Sequence, residues 1–140
     1  MSAALVDAGP LVALFAKREQ RDAARYNTLL RKASVEQWAL STTWPCVVEA
    51  SHFLDVPQRY AMLTWIGAGA VSVYPFSQES LGDMVALMIQ YTAEPKVRMD
   101  LADASLVWLA ADTGVTQIMT LDVRDFSRYR LPDGRAFEIL

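Results

Sequence analysis

The residues of this chain that could do chemistry are mostly carboxylates. Six acids stand in apolar or turn-forming surroundings: Asp7, Glu49, Asp100, Asp103, Asp122 and Asp125. The 140 residues include only one histidine, His52, and one cysteine, Cys46. Oxygen ligands without nitrogen or sulfur suit hard cations such as Mg²⁺ or Mn²⁺, and they argue against zinc or copper. If the six acids meet, the pattern therefore predicts a divalent-cation site suited to phosphoryl chemistry.

Two of these acids follow predicted strands. Asp7 ends a short apolar strand at residues 3–6, and Asp122 ends another at residues 117–121. In a parallel sheet both carboxylates emerge at the same edge, where ligands of such sheets bind. The alternative for each is loop or helix-cap duty, which is common for aspartate.

The other acids lie on predicted helices. Glu49 stands among apolar or small neighbours, so its carboxylate needs a cation, a basic partner or solvent, and a solvent-facing position stays open. Asp100 and Asp103 share a helix face at spacing i, i+3, which also fits a variant of the capping box. His52, one turn beyond Glu49, is a candidate for substrate contact or for supporting a ligand.

The elements alternate along the chain. Strands are predicted at residues 3–6, 38–43, 71–76 and 117–121, with a fifth possible at 136–140. Helices are predicted at 11–16, 22–32, from Pro45, from Pro57 to Ile66, and at 78–92 and 100–112. Strands separated by helices predict an α/β fold with a parallel sheet. No linker or repeat interrupts the pattern, so residues 1–140 are expected to form one domain.

Composition narrows the class of protein. Apolar residues make up 53% of the chain and the mean hydropathy is +0.16, enough for one buried core. A single cysteine excludes a disulfide-stapled scaffold, and with no secretory signal visible we expect a cytoplasmic protein. The longest charge-free stretch, residues 60–78, is interrupted by glycine, proline and serine, so no membrane span is expected.

The charge distribution bears on a nucleic-acid partner. The net charge is −3 and the pI is about 5.1, which by itself disfavours phosphate binding. With the six acids set aside, the remaining chain holds 13 basic against 10 acidic side chains. Lys17, Arg18 and Arg21 follow the first helix and are candidate phosphate contacts, although a solvated helix face explains them too.

Four stretches together resemble one protein family. They are residues 5–14 (LVDAGPLVAL), 41–50 (STTWPCVVEA), 99–106 (MDLADASL) and 119–126 (MTLDVRDF). In this order and spacing, over almost the whole chain, they resemble PIN-domain ribonucleases and, within these, the toxins of VapBC type II toxin/antitoxin pairs. The resemblance implies a three-layer α/β/α sandwich with a central parallel sheet and an acidic site for one or two Mg²⁺ or Mn²⁺ ions.

The resemblance also implies roles for individual residues. Asp7, Glu49 and Asp103 match the first three acids of the family. The fourth stays open, because a Thr-x-Asp pattern favours Asp122 while an Asp-Phe pair favours Asp125. Asp100 departs from the small polar residue often found there, and its role stays open.

The implied reaction is in-line hydrolysis of an RNA phosphodiester by metal-activated hydroxide. Asp7 and Asp103 would bind the ion directly, and Glu49 and Asp122 would hold bound water or a second ion. Thr120 would orient the ligands or a water. Which RNA is cut stays open.

The family also implies partners, and the residues leave two rival functions. An antitoxin is expected in a groove near the site, for which Phe53, Met62 and Trp65 are candidates unless they belong to the core. A homodimer is implied likewise. A Mg²⁺-dependent phosphatase with Asp7 as nucleophile is one rival, although Gly9 stands where its usual second aspartate would be. A catalytically silent interaction module of the same fold is the other.

Overall fold

One parallel sheet of five short strands organises the molecule. The computed structural model describes residues 2–17, 23–92 and 97–140. The strands are β1 (Ala3–Val6), β2 (Ala39–Thr42), β3 (Ser72–Val73), β4 (Gln117–Met119) and β5 (Glu138–Ile139). Their order is β3-β2-β1-β4-β5, and all four pairings are parallel. The predicted α/β fold with a central parallel sheet is confirmed.

Helices cover both faces of the sheet. They are α1 (Ala8–Phe15), α2 (Ala23–Val35), α3 (Trp44–His52), α4 (Val56–Gly67), α5 (Leu81–Tyr91), α6 (Leu101–Thr113) and α7 (Val123–Arg128). One apolar cluster packs α1 to α4 against the sheet, and a second packs α5 to α7 against its other face. The arrangement is consistent with a three-layer α/β/α sandwich.

The central strand β1 joins the two cores. Ala4 and Val6 belong to the first cluster and Leu5 to the second, as the alternation of side chains along a strand requires. Leu5 pairs with Ser41 of β2 on one side and Ile118 of β4 on the other. Because the chain leaves β1 toward β2 and returns later to form β4, the strand order reverses at β1. Such switch points open a crevice at the carboxyl ends of the strands.

Helix α1 begins earlier than its sequence suggests. Pro10 was expected near the first position, but the helix starts at Ala8 with Asp7 as N-cap. Pro10 is tolerated there because the first N–H groups of a helix lack partners within the helix. Gly114 ends α6 with a φ of 77°, as expected for a left-handed terminal glycine.

Helix α7 was not predicted, and β4 ends at Met119 instead of residue 121. Two other segments also differ from prediction. The third strand is only Ser72–Val73, because the chain then leaves the sheet and the rings of Tyr74 and Phe76 pack on Trp108 of α6. The helix predicted at 78–92 opens with a 3-10 turn over Gln78–Ser80. Among the described residues, none of the helices combines the length and apolar character that crossing a bilayer requires.

Candidate metal centre

Helix N-termini carry three of the predicted acids to one edge of the sheet. Asp7 follows β1 and caps α1, accepting the N–H of Ala8 at 2.8 Å. Asp100 caps α6 by accepting the N–H of Asp103 at 2.8 Å, and Asp122 caps α7 by accepting that of Asp125 at 3.2 Å. From the sequence, capping a helix and lining a site were alternative roles for these acids. In the structure these side chains do both.

A cleft of about 320 Å³ collects all six predicted acids. Its lining comprises Asp7, Ala8, Gly9, Glu49, Arg98, Asp100, Asp103, Leu121, Asp122 and Asp125. Among the residues that the structure describes, Arg98 is the one cation in this lining, and it makes no ion pair within 4.0 Å. The cleft is therefore strongly negative.

Asp7 is held on both carboxylate oxygens. Oδ1 accepts the Ala8 N–H, and Oδ2 accepts the Thr120 hydroxyl at 2.7 Å. The Thr120 hydroxyl in turn accepts the N–H of Asp122 at 3.0 Å, and the Tyr26 hydroxyl donates to the Thr120 carbonyl at 2.6 Å. Thr120 thus links the acids that follow β1 and β4, in keeping with the orienting role expected for it. Burial raises the pKa of Asp7.

The Asp103 carboxylate bonds to a residue outside its own helix. Asp100 already accepts the N–H of Asp103, and the Asp103 Oδ2 accepts the buried Tyr129 hydroxyl at 2.8 Å. Burial, followed by the charge of Asp100, raises the pKa of Asp103 to about 8. A capping-box role for the Asp103 side chain is therefore not what the structure shows.

Three acids lie close enough to share one ion. Ligand oxygens of Asp103, Asp122 and Asp125 lie within 4.8 Å of one another. Asp125 also pairs with Arg128, with 3.0 Å between Oδ1 and Nε. Asp7 and Glu49 line the same cleft without joining this close group. Both candidates for the fourth acid, Asp122 and Asp125, thus reach the centre.

Glu49 is half-buried on α3 and faces the cleft. Among the described residues it has no cationic partner within 4.0 Å. Burial and then the charges of Asp100 and Asp7 raise its pKa to about 7. Burial is also the main cause that raises the pKa of Asp122 to about 6. Neighbouring carboxylates with raised pKa values are a donor set that a divalent cation would stabilise.

The donor chemistry fits Mg²⁺ or Mn²⁺. Every acidic group that lines the cleft offers oxygen. The Cys46 Sγ lies 4.0 Å from the Asp7 Oδ1, but burial raises the pKa of this thiol, so it stays protonated. His52 lines a neighbouring apolar groove together with Trp44 and Val48 instead of the cleft. Hard oxygen donors without imidazole or thiolate match the expected cations.

Only one of the three side chains predicted to contact phosphate lies within the described residues. Lys17 follows α1 and is exposed. Arg18 and Arg21 lie outside the described residues. Two other side chains at the site, Arg98 and Tyr129, were missed. Sequence offered little signal for them, since Arg98 follows no recognised motif and Tyr129 reaches Asp103 only through the fold.

The chain was compared with protein-family models and with curated proteins, and neither comparison gave a match.

Proposed function

We propose that this chain is a Mg²⁺- or Mn²⁺-dependent endoribonuclease of the PIN-domain kind, acting as the toxin of a VapBC-type pair. The observation that carries the proposal is the gathering of six carboxylates around one cleft, where Arg98 is the only lining cation among the described residues. The cleft lies at the switch point of a parallel sheet, and the acids stand in the four stretches that resemble the family. A cation bound there would activate water and neutralise charge on a phosphodiester.

The residues of the cleft would have different roles in binding the cation. Asp7, Glu49, Asp103 and Asp122 would hold the cation, with Asp125 beside them. Thr120 fixes the orientation of Asp7 through its hydroxyl. Asp100 caps α6 and adds negative charge to the cleft.

RNA would be held by charges around the cleft. Arg98 faces the cleft directly and could contact the phosphate next to the scissile bond. Lys17, with Arg18 and Arg21, would contact more distant phosphates. Such contacts would reconcile an acidic protein with a polyanionic substrate.

The rival phosphatase reaction finds little support in the geometry. A nucleophilic aspartate must present a free oxygen to phosphorus. Asp7 is only 7% exposed, and each of its oxygens already accepts a hydrogen bond. These contacts suit an oriented ligand better than a nucleophile.

The proposed antitoxin has a candidate groove. Trp65 is half-buried against Phe15 and lines a groove of about 580 Å³ together with residues of α1 and α2. Phe53 is 70% exposed. Met62, however, is fully buried in the first core cluster, so for this residue the core alternative holds.

The proposed homodimer has a separate candidate surface. Exposed apolar side chains stand at helical spacing on α3 and α5, with one more at the start of α6. They are Trp44, Val48, Leu81, Val85, Ile89 and Leu101. We place self-association on these helices, and the cytoplasm remains the proposed location.

Cleavage of RNA by the purified chain tests the proposal. The wild type should cut single-stranded RNA in Mn²⁺ and lose the activity in excess EDTA. Asp7→Asn should reduce the cleavage rate at least ~100-fold, because it removes one charge of the cation site. Asp83→Asn, a change of the same type on α5 outside the cleft, should cleave as the wild type does. A folded Asp7→Asn protein that cleaves at the wild-type rate would refute the proposal, and a wild type inactive in Mn²⁺ would favour the silent module.

A further inference from the structure

The hydroxyl of Tyr129 is the one hydrogen-bond donor that the described residues place on the Asp103 carboxylate. The Tyr129 Oη lies 2.8 Å from the Asp103 Oδ2. The two residues come from different elements, since Tyr129 ends α7 and Asp103 stands in the first turn of α6. The hydroxyl holds Oδ2, whereas Oδ1 accepts no hydrogen bond from the described residues.

Tyr129 is itself held firmly. Its side chain has no exposed surface. The rings of Phe126 and Tyr91 pack edge-on against it, each with centroids 5.1 Å away, and the Arg128 guanidinium carbon lies 4.9 Å from its ring centroid. A ring enclosed in this way cannot change rotamer without moving its neighbours. The position of the hydroxyl is therefore set by packing.

We propose that Tyr129 is a positioning residue of the cation site, acting through Asp103. By holding Oδ2, the hydroxyl orients the carboxylate before a cation arrives, so that less side-chain freedom is lost on binding. Partners that orient a metal ligand typically contribute ten- to a hundredfold to metal affinity. The inference rests on the proposed function, because it requires that the cleft bind a divalent cation.

A pair of matched tyrosine variants tests this role. Tyr129→Phe removes the hydroxyl and keeps the packed ring. Tyr91→Phe removes a hydroxyl from the neighbouring ring, where it bonds only to the backbone of Arg130 among the described residues. Calorimetric titration with Mn²⁺, at a temperature where all the proteins are folded, gives the affinities. Tyr129→Phe should bind Mn²⁺ about 10- to 100-fold more weakly than wild type, and Tyr91→Phe should match wild type within about twofold.

The outcomes separate this inference from the proposed function. Equal Mn²⁺ affinity of wild type and Tyr129→Phe would overturn the positioning role while leaving the cation site intact. Equal weakening in both variants would also overturn it, because the loss would then reflect looser packing around α7. A wild-type chain that takes up no Mn²⁺ would overturn the proposed cation site and the role of Tyr129 with it.

Discussion

At the residue scale, three of the six acids in the cleft have a local structural role as well. Asp7, Asp100 and Asp122 all cap helices, so the fold places them with geometry that a short loop could not maintain. Positive helix N-termini also favour carboxylates, which offsets part of their mutual repulsion. The remaining negative charge is available to a cation.

Removing the side chain of Arg98 should change the affinities for Mn²⁺ and for RNA in opposite directions. Arg98→Ala removes a cation from the lining of the cleft, so Mn²⁺ affinity should rise by roughly two- to fivefold, the size of an exposed charge interaction. RNA should bind more weakly, so the KM for RNA should increase. The salt dependence of RNA binding should fall by about one unit of slope, because one phosphate contact is lost.

The control for this change is Arg124→Ala, which removes an exposed cation of α7 that does not line the cleft. It should leave Mn²⁺ affinity unchanged within about twofold, since its charge is screened by solvent. Weaker Mn²⁺ binding by Arg98→Ala would mean that Arg98 supports the ligands instead of contacting substrate.

The acids could be singled out from the sequence because the signal for each lies in its immediate sequence neighbours. Asp7 and Asp122 each end an apolar run, and Glu49 interrupts an apolar helix. Tyr129 could not be found in this way, because its bond to Asp103 spans 26 residues and depends on how α7 packs. Arg98 reaches the cleft through the fold, and no local sequence pattern indicates that position.

At the element scale, polar contacts tie the helices that carry the acids. The Thr43 hydroxyl, just before α3, lies 2.6 Å from the Ser105 hydroxyl of α6. Arg128 of α7 donates to the carbonyl of Tyr91 in α5 at 3.0 Å. Helix α3 is thus tied to α6, and α7 to α5, by bonds outside the cleft itself.

Gly9 of α1 gives a prediction about how these elements meet. A Cβ at Gly9 would lie 2.9 Å from the Cγ of Leu121, so Leu121 must shift, and Asp122 follows it directly. Gly9→Ala should therefore weaken Mn²⁺ binding by roughly 3- to 30-fold, since partners that set a ligand's position contribute ten- to a hundredfold and only part of that is lost here. Calorimetric titration with Mn²⁺ measures this effect.

Gly82→Ala is the matched control, because a Cβ there meets nothing within 4 Å. It should raise the free energy of unfolding by about 0.5–1 kcal/mol, the usual difference between alanine and glycine in a helix. Mn²⁺ affinity should stay at the wild-type value. Unchanged Mn²⁺ affinity in Gly9→Ala would show that Leu121 moves without disturbing Asp122.

The elements themselves were largely predictable. Most strands and helices follow from apolar periodicity and from Pro and Gly signals. The missed helix α7 is short, only Val123–Arg128, and has too few turns to show a periodic pattern. The third strand was overestimated because Tyr74 and Phe76 look like strand residues but pack on Trp108.

At the scale of the whole molecule, burial of the acids, followed by their mutual repulsion, makes their charged forms unfavourable in the folded state. The folded-state pKa values of Asp103, Glu49 and Asp122 are about 8, 7 and 6, all above the ordinary range near 4. Between about pH 4 and 8, the folded state therefore binds more protons than the unfolded chain. Stability must then fall as the pH rises through this window.

Thermal unfolding across pH measures this effect. In EDTA, the Tm should decrease from pH 5 to pH 8 and then level off, and Asp103→Asn should flatten the upper part of this decrease. In excess Mn²⁺, the stabilisation over EDTA should grow with pH, because the cation competes with protons for the same oxygens. An EDTA series in which the Tm rises between pH 5 and pH 8 would contradict the mutual repulsion of the acids.

The pairing of β1 with β4 has a consequence for synthesis. The ribosome makes the Thr120 hydroxyl, which orients Asp7, 113 residues after Asp7 itself. Asp122 and Tyr129 belong to the same late segment. Since chains grow at about 5–20 residues per second, a nascent chain has roughly 5–20 s in which its cleft cannot be complete. If the chain is the ribonuclease proposed above, this order of synthesis would keep it inactive until the late segment is made, and so would protect the messenger that encodes it.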